Sequence, residues 1–389
     1  MSAQSVSLTR RCFLASLLAG TVGWYCPVFR NLTIPLSYAA PPPSEPGLKE
    51  VMFYRKLEDQ KIECTVCPKK CRVADLERGY CGNKENRGGI YYSLVYSRVC
   101  SQHLDPIEKK PLFHYLPGST AYSIATAGCN FECRFCQNWQ IAQYRPEQIE
   151  SIDLPPAALV EQATRKQAAT IAYTYSEPVV FYEYMYDCAR QGRTRGIGSV
   201  MISNGFINEE PLVHLCRYLT AVKIDLKAFS DKFYREYCSG ELEPVLHTLT
   251  VLKRVGIWFE IVVLIIPTLN DGSDEIQRMC QWIAANLGSD VPLHFSRFHP
   301  MYKITNLPPT PVKTLEACHA IATAAGLRYV YLGNVPGHPA ESTYCPGCKK
   351  VLIKRMGYAI LENKLKQGMC SFCGRPIAGV WEQPAKLNL

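Results

Sequence analysis

Strand–helix alternation, grouped cysteines and chain length together predict an α/β protein: a full or partial TIM-like (β/α) barrel with a small N-terminal Cys-rich segment and a C-terminal zinc-ribbon-like module. Between residues 111 and 335, short apolar runs alternate with amphipathic stretches, the pattern of parallel strands joined by crossover helices. Most of the 19 cysteines fall into three groups with short, metal-like spacings. At 389 residues the chain can build a large core, so metal binding explains these groups better than the disulfide framework of a small secreted domain. Hydrophobic residues make up 47% and charged residues 20%, which excludes a disordered chain. The net charge of +9 is spread out, with no run of five basic residues, so no nucleic-acid partner is expected.

Taken from the N-terminus, residues 1–44 read as a signal and a Pro-rich linker. Ser7-Leu8-Thr9-Arg10-Arg11-Cys12-Phe13-Leu14 resembles a twin-arginine export signal, and no charge follows until Arg30. Ser37-Tyr38-Ala39-Ala40 offers a small-residue cleavage site before Pro41, Pro42 and Pro43. The alternative is a retained membrane anchor, for which the apolar run is short. The signal suggests export or membrane association.

Residues 45–110 form the N-terminal Cys-rich segment. Cys64, Cys67, Cys71 and Cys81 stand in C-x2-C-x3-C-x9-C spacing. Four thiolates could close one structural zinc site, which the knuckle-like first pair favours. They could instead hold an auxiliary iron–sulfur cluster, or form disulfides if the chain is exported.

Over 111–335, buried parallel strands are expected at 121–126, 170–175, 199–203, 222–226, 258–265, 293–298 and 329–332. Helices are expected at 157–166, 179–191, 209–218, 274–286 and 313–325. About six or seven βα units suit a barrel better than a minimal doubly wound sheet. Directly after the first strand comes Gly128-Cys129-Asn130-Phe131-Glu132-Cys133-Arg134-Phe135-Cys136. Three thiolates in C-x3-C-x2-C spacing supply three corners of a [4Fe–4S] cluster and leave one iron open to a small molecule. A zinc loop would pair two C-x2-C knuckles instead.

This motif, with Phe135 just before its last cysteine, resembles the radical S-adenosylmethionine superfamily, in the branch of the pyruvate formate-lyase activating enzymes. More closely, residues 50–385 resemble the radical enzymes of the AmmeMemoRadiSam system. The resemblance implies a [4Fe–4S] cluster on Cys129, Cys133 and Cys136. It also implies S-adenosylmethionine chelated by the open iron, a low-potential electron donor, companion proteins and a substrate that the sequence does not name. It implies that Glu177, in Thr174-Tyr175-Ser176-Glu177-Pro178, lies near the methionyl amino group, although the usual Gly-Gly-Glu pattern is absent. Ser203 and Asn204 would lie at the ribose or carboxylate. Asp225 and Lys227 end the fourth strand, where they could orient cofactor or substrate or form a structural pair. This chemistry draws on cytoplasmic supplies, in conflict with the export signal.

His294, His299 and Tyr302 follow the sixth strand and could contact substrate, His294 alternatively being a satisfied core histidine. Residues 333–338 could line the barrel mouth or serve as a plain linker. Cys100, Cys188, Cys216, Cys238, Cys280 and Cys318 read as packing, with Cys238, after the fourth strand, the one to examine. In 340–385, Cys345, Cys348, Cys370 and Cys373 form two C-x2-C knuckles around strand-like 351–353 and 358–361, the pattern of a zinc ribbon or rubredoxin. The closed site favours structural Zn2+ over an electron-transfer iron.

Two other functions fit part of the pattern. A glycyl radical enzyme activase would share the central motif, but residues 137–175 lack the cysteine insert such activases often carry. A non-catalytic metal-binding scaffold would use all three cysteine groups without the barrel's chemistry.

Overall fold

The computed structural model describes residues 48–387; the signal and Pro-rich linker expected over 1–44 lie outside them. An eight-stranded sheet organises the described chain. Its strands are β1 (Ser101–Pro106), β2 (Thr120–Ala125), β3 (Thr170–Tyr173), β4 (Gly198–Ser203), β5 (Ala221–Asp225), β6 (Trp258–Ile265), β7 (Leu293–Arg297) and β8 (Val330–Gly333). Spatial order equals chain order, and every pair from β2 to β8 is parallel, while β1 runs antiparallel along the edge. Strand order never reverses, so there is no doubly wound switch point. The pairing stops at β1 on one side and β8 on the other, which makes this a partial barrel.

The strands are apolar because they are covered on both faces: β3 and β4 are buried at every residue. Helices α1 (Pro156–Arg165), α2 (Tyr182–Thr194), α3 (Glu209–Cys216), α4 (Leu242–Val255), α5 (Ser273–Asn286) and α6 (Val312–Ala324) follow β2 to β7 in turn. Each turns an apolar stripe inward; α4 buries Val245, Leu246, Leu249 and Leu252. Helix α4 is absent from the helices expected from sequence. Its third residue is Pro244, which reads as a breaker but is tolerated in a first turn, where the N–H has no helical partner. Gly256, at φ 78°, ends it in the left-handed conformation.

Two flanking segments complete this compact body. Short antiparallel strands carry the N-terminal cysteines, with Tyr54–Lys56 pairing Ile62–Cys64 and Lys84–Arg87 pairing Ile90–Ser93. The C-terminal module has an antiparallel sheet of Thr343–Tyr344, Val351–Met356 and Ala359–Asn363. It packs Leu352, Ile353 and Ile377 against Phe113, Tyr329 and Tyr331 of the barrel.

The chain leading into β2 is tied to β6 and to the C-terminal module. Phe113 and His114 donate their backbone N–H groups to Glu260 at 3.0 and 2.8 Å. Arg355 of the module donates to the Phe113 carbonyl at 2.8 Å, and the Val380 N–H to the His114 carbonyl at 2.7 Å.

Candidate active site

The strand ends β2 to β8 open into a cavity of about 560 Å³, where catalysis on this architecture is usually sited. Cys129, Cys133, Cys136, Glu177, Asn204, Lys223, Asp225, Lys227 and His294 all line it.

The cysteine loop leaves β2 through Gly128, whose φ of 92° suits glycine, and where a Cβ would strike the Asn83 side chain. Beyond that point the loop is held by neighbours. The N–H groups of Glu132 and Arg134 donate to the carbonyls of Cys238 and Tyr237, both at 2.9 Å. The Asn130 amide donates to the Phe206 carbonyl at 2.9 Å and the Asn138 amide to the Tyr175 carbonyl at 2.9 Å. Phe135 is buried and tilts against Phe233, centroids 5.8 Å apart, so it anchors the loop rather than facing the cavity alone. Cys238 is buried beside Cys133. Its spacing from the motif gave no sign of this contact.

Burial pushes the Cys129 thiol well up and the Cys136 thiol up to about 11, so both are protonated in the metal-free protein. The Cys133 thiol moves down, chiefly through the Cys238 hydrogen bond, against burial and with help from Lys227. A metal centre would displace these protons and supply the missing positive charge. The donor set fits a cluster: three thiols share one loop, line a cavity roomy enough for a small molecule, and are not mutually within 4.8 Å as thiols on a single ion would be.

Glu177 is buried and satisfied by its own chain. Its carboxylate accepts from the Ser203 hydroxyl at 2.7 Å, the Asn204 N–H at 2.8 Å and the Val179 N–H at 3.2 Å. It ties the end of β3 to the end of β4, and Asn204 then reaches the cysteine loop, donating to Asn130 Oδ1 at 2.8 Å with Cys129 Sγ 3.9 Å away. Burial, only partly offset by these donors, pushes the Glu177 carboxyl up to about 7. The folded state therefore holds a proton that the unfolded chain releases near pH 4.5, and stability falls as pH rises through that window. In the metal-free protein, wild type should lose about 3 kcal/mol relative to Glu177→Gln between pH 4.5 and 7. Urea unfolding at the two ends measures this, and parallel curves for the two proteins would reject it.

Asp225 and Lys227 are joined by a third residue that the sequence reading missed. Lys227 Nζ lies 3.0 Å from Asp225 Oδ2, and Lys223 pairs with Asp225 Oδ1. Burial works against the Asp225 charge, but the two lysines hold its carboxyl down at about 2. Lys227 is pressed down by burial and raised further by Asp225 and Cys133, so it stays charged. Burial lowers Lys223. Residues 223, 225 and 227 alternate along β5 and past its end, and that period of two was the available signal. Lys110, also missed, lines the cavity too, with Asp105 at 2.5 Å and its ammonium lowered by burial to about 8.

His294 lines the cavity and is also a satisfied core histidine, its Nε2 lying 2.7 Å from Glu260 Oε2 with both side chains buried. His299 is exposed, and Tyr302 stacks on Trp139 at 5.3 Å; neither lines the cavity. Gly333, Asn334 and Pro336 do line it, as do Gly357 and Tyr358 of the C-terminal module.

Cys345, Cys348, Cys370 and Cys373 converge with all four sulfurs within 4.8 Å, a set able to hold a metal ion. Cross pairs are 3.6 and 3.7 Å apart, matching the ~3.8 Å expected for thiolates at ~2.3 Å on one tetrahedral ion. Cys64, Cys67, Cys71 and Cys81 line a small cavity of their own.

Three comparisons bear on this geometry. The family model of the radical SAM superfamily matches residues 123–283, which span β2 to α5. An uncharacterised protein of Methanocaldococcus jannaschii, MJ0808, is 46% identical over 332 residues, covering 85% of this chain and 99% of that protein. Among solved structures, a radical SAM methyltransferase from Sphaerobacter thermophilus is 15% identical, with 57% of this chain and 68% of that one covered at a TM-score of 0.44. A domain of a pyruvate-formate lyase-activating enzyme from Bacteroides vulgatus is 17% identical, with 42% and 99% covered at 0.38. The family match falls on the strands that carry the cysteine loop, Glu177 and Asp225, and the kinship with MJ0808 runs along nearly its whole length; the chain belongs to the radical S-adenosylmethionine superfamily and is a radical SAM enzyme.

Proposed function

We propose that this enzyme abstracts hydrogen from a small anionic substrate held against Lys223, Asp225 and Lys227, as a member of the AmmeMemoRadiSam type. Cys129, Cys133 and Cys136 would hold the [4Fe–4S] cluster, and Asn204, oriented by Glu177 with Ser203 behind it, would hold S-adenosylmethionine beside it. Once bound, such a cluster would supply the one-electron chemistry by which S-adenosylmethionine is reductively cleaved. The protein's own part is position and exclusion of water. Apolar residues Ile202, Val262, Leu264 and Leu332 wall the cavity, and the C-terminal module covers part of its rim.

One observation carries the reading: a single cavity is lined by the three cysteines and by a carboxylate held between two lysines. Within the triad two cations flank one anion, although Glu108, Glu177 and Glu341 balance Lys109, Lys110 and this local excess over the cavity as a whole; an acidic group on the substrate would pair with the triad. The C-terminal quartet is read as structural Zn2+ from its tetrahedral spacing, and residues 1–44 as an export signal for a folded, cluster-loaded enzyme.

The test is anaerobic reconstitution with iron and sulfide, addition of S-adenosylmethionine and a strong reductant, and quantification of 5′-deoxyadenosine. The wild type should produce it. Asp225→Asn should lower the yield ~10- to 100-fold at unchanged iron content, the scale expected when a positioning charge is lost. No product from a fully loaded wild type would sink the proposal.

A further inference from the structure

We propose that Cys64, Cys67, Cys71 and Cys81 hold a second iron–sulfur cluster, separate from that of the Cys129 loop, with Lys84 as its buried counter-cation. All four cysteines line one small apolar-walled cavity, shared with Lys84 and Tyr91 and with Asn130 of the catalytic loop.

Sulfur spacing separates the two kinds of centre. Thiolates on one tetrahedral ion stand ~3.8 Å apart. The C-terminal quartet meets that limit. Among the described residues, no three sulfurs of the N-terminal quartet lie within 4.8 Å of one another, and the same is true of Cys129, Cys133 and Cys136. The N-terminal group thus shares the open spacing of the catalytic cysteines. A cubane requires it, because each thiolate binds a different iron.

Charge bears on the same four cysteines. Lys84 is buried, with Nζ 3.5 Å from Glu183 and no hydrogen bond to it. A buried ammonium with donors unused is costly unless an anion completes its surroundings. Four thiolates on a metal centre supply that anion, whether the centre is Zn2+ or a cluster, so the charge calls for a metal there and the sulfur spacing chooses which. The Tyr80 N–H already donates to Cys71 Sγ at 3.3 Å, a contact that stabilises a thiolate ligand. The site also adjoins the catalytic one, since Cys81 and Cys129 line the same neighbouring hollow. The choice between zinc and a cluster that the sequence left open is thereby made in favour of the cluster.

The proposal stands apart from the reading of the catalytic loop, and so does its test. The full chain carrying Cys129→Ala, Cys133→Ala and Cys136→Ala is reconstituted anaerobically, and its iron, acid-labile sulfide and zinc are counted. About four irons and four sulfides should remain, with a paramagnetic signal on reduction that S-adenosylmethionine leaves unchanged. Cys64→Ala with Cys67→Ala should lose that signal and keep the one that responds to S-adenosylmethionine. A triple variant without sulfide, or with zinc at the N-terminal quartet, overturns the proposal. If the triple variant does not fold, the wild type decides: about eight sulfides per chain support a second cluster and about four refute it. Lys84→Met should shift the midpoint of the insensitive signal to more negative potential, because reduction adds charge beside a lost cation. An unmoved midpoint removes Lys84 from the site.

Discussion

Cys133→Ala is expected to abolish 5′-deoxyadenosine formation, with a loss greater than about 100-fold, since even residues one layer behind a metal ligand cost 10- to 100-fold. Cys133 sits midway along a loop fixed by Cys238 and Tyr237 carbonyls, by Asn130 and by Asn138. These bonds do not use the Cys133 sulfur, so the loop keeps its course without it. The variant should unfold at nearly the wild-type urea concentration while losing the S-adenosylmethionine-responsive cluster signal. Cys238→Ala separates ligand from neighbour: it removes the contact beside Cys133 but no cavity-lining thiol, and should retain the cluster. If Cys133→Ala kept full product formation, the loop would not be the cluster's seat.

The largest stability loss is expected from Glu260→Ala. Glu260 is buried and accepts from the Phe113 and His114 N–H groups, from His294 at 2.7 Å and from the Trp258 indole at 3.3 Å. Its carboxyl is held below the usual range, burial being outweighed chiefly by His294. Alanine leaves two main-chain donors and a ring nitrogen buried without an acceptor. Breaking a buried pair of this kind costs about 3–5 kcal/mol, which should lower the melting temperature by roughly 10 °C. Glu260→Gln keeps one acceptor oxygen and should lose less. A change under about 1 kcal/mol in thermal or urea unfolding would mean that water replaces the carboxylate.

The strands of the barrel were legible because they are buried on both faces and read as apolar runs; the expected range 258–265 coincides with β6. The cysteine loop was legible because its chemistry is written in local spacing. Contacts between elements left no such trace. The Cys238–Cys133 contact joins positions 105 residues apart in the chain, and Glu177 meets Ser203 across two strand ends. Glu260 did leave a mark, as the one acidic residue in an otherwise apolar strand, and that anomaly was passed over. Lys223 was also visible by its two-residue spacing from Asp225. Helix α4 was not among the helices named from the sequence, and its Pro244 falls in the first turn, where it is harmless. Lys84 carried no signal, because only the fold brings it to the four cysteines.

The tie between the chain entering β2 and the C-terminal module bears on how the enzyme is made. Residues 113–116 enter the barrel wall long before their partners at 376–381 exist as polypeptide, yet the His114 imidazole meets the Ala378 carbonyl at 2.6 Å and the Leu116 N–H meets Val380 at 2.8 Å. During synthesis, therefore, the segment entering β2 lacks these partners until residue 381 has left the ribosome. A premature stop before Pro376 would yield a chain that holds every catalytic residue but leaves His114 and Leu116 without these partners.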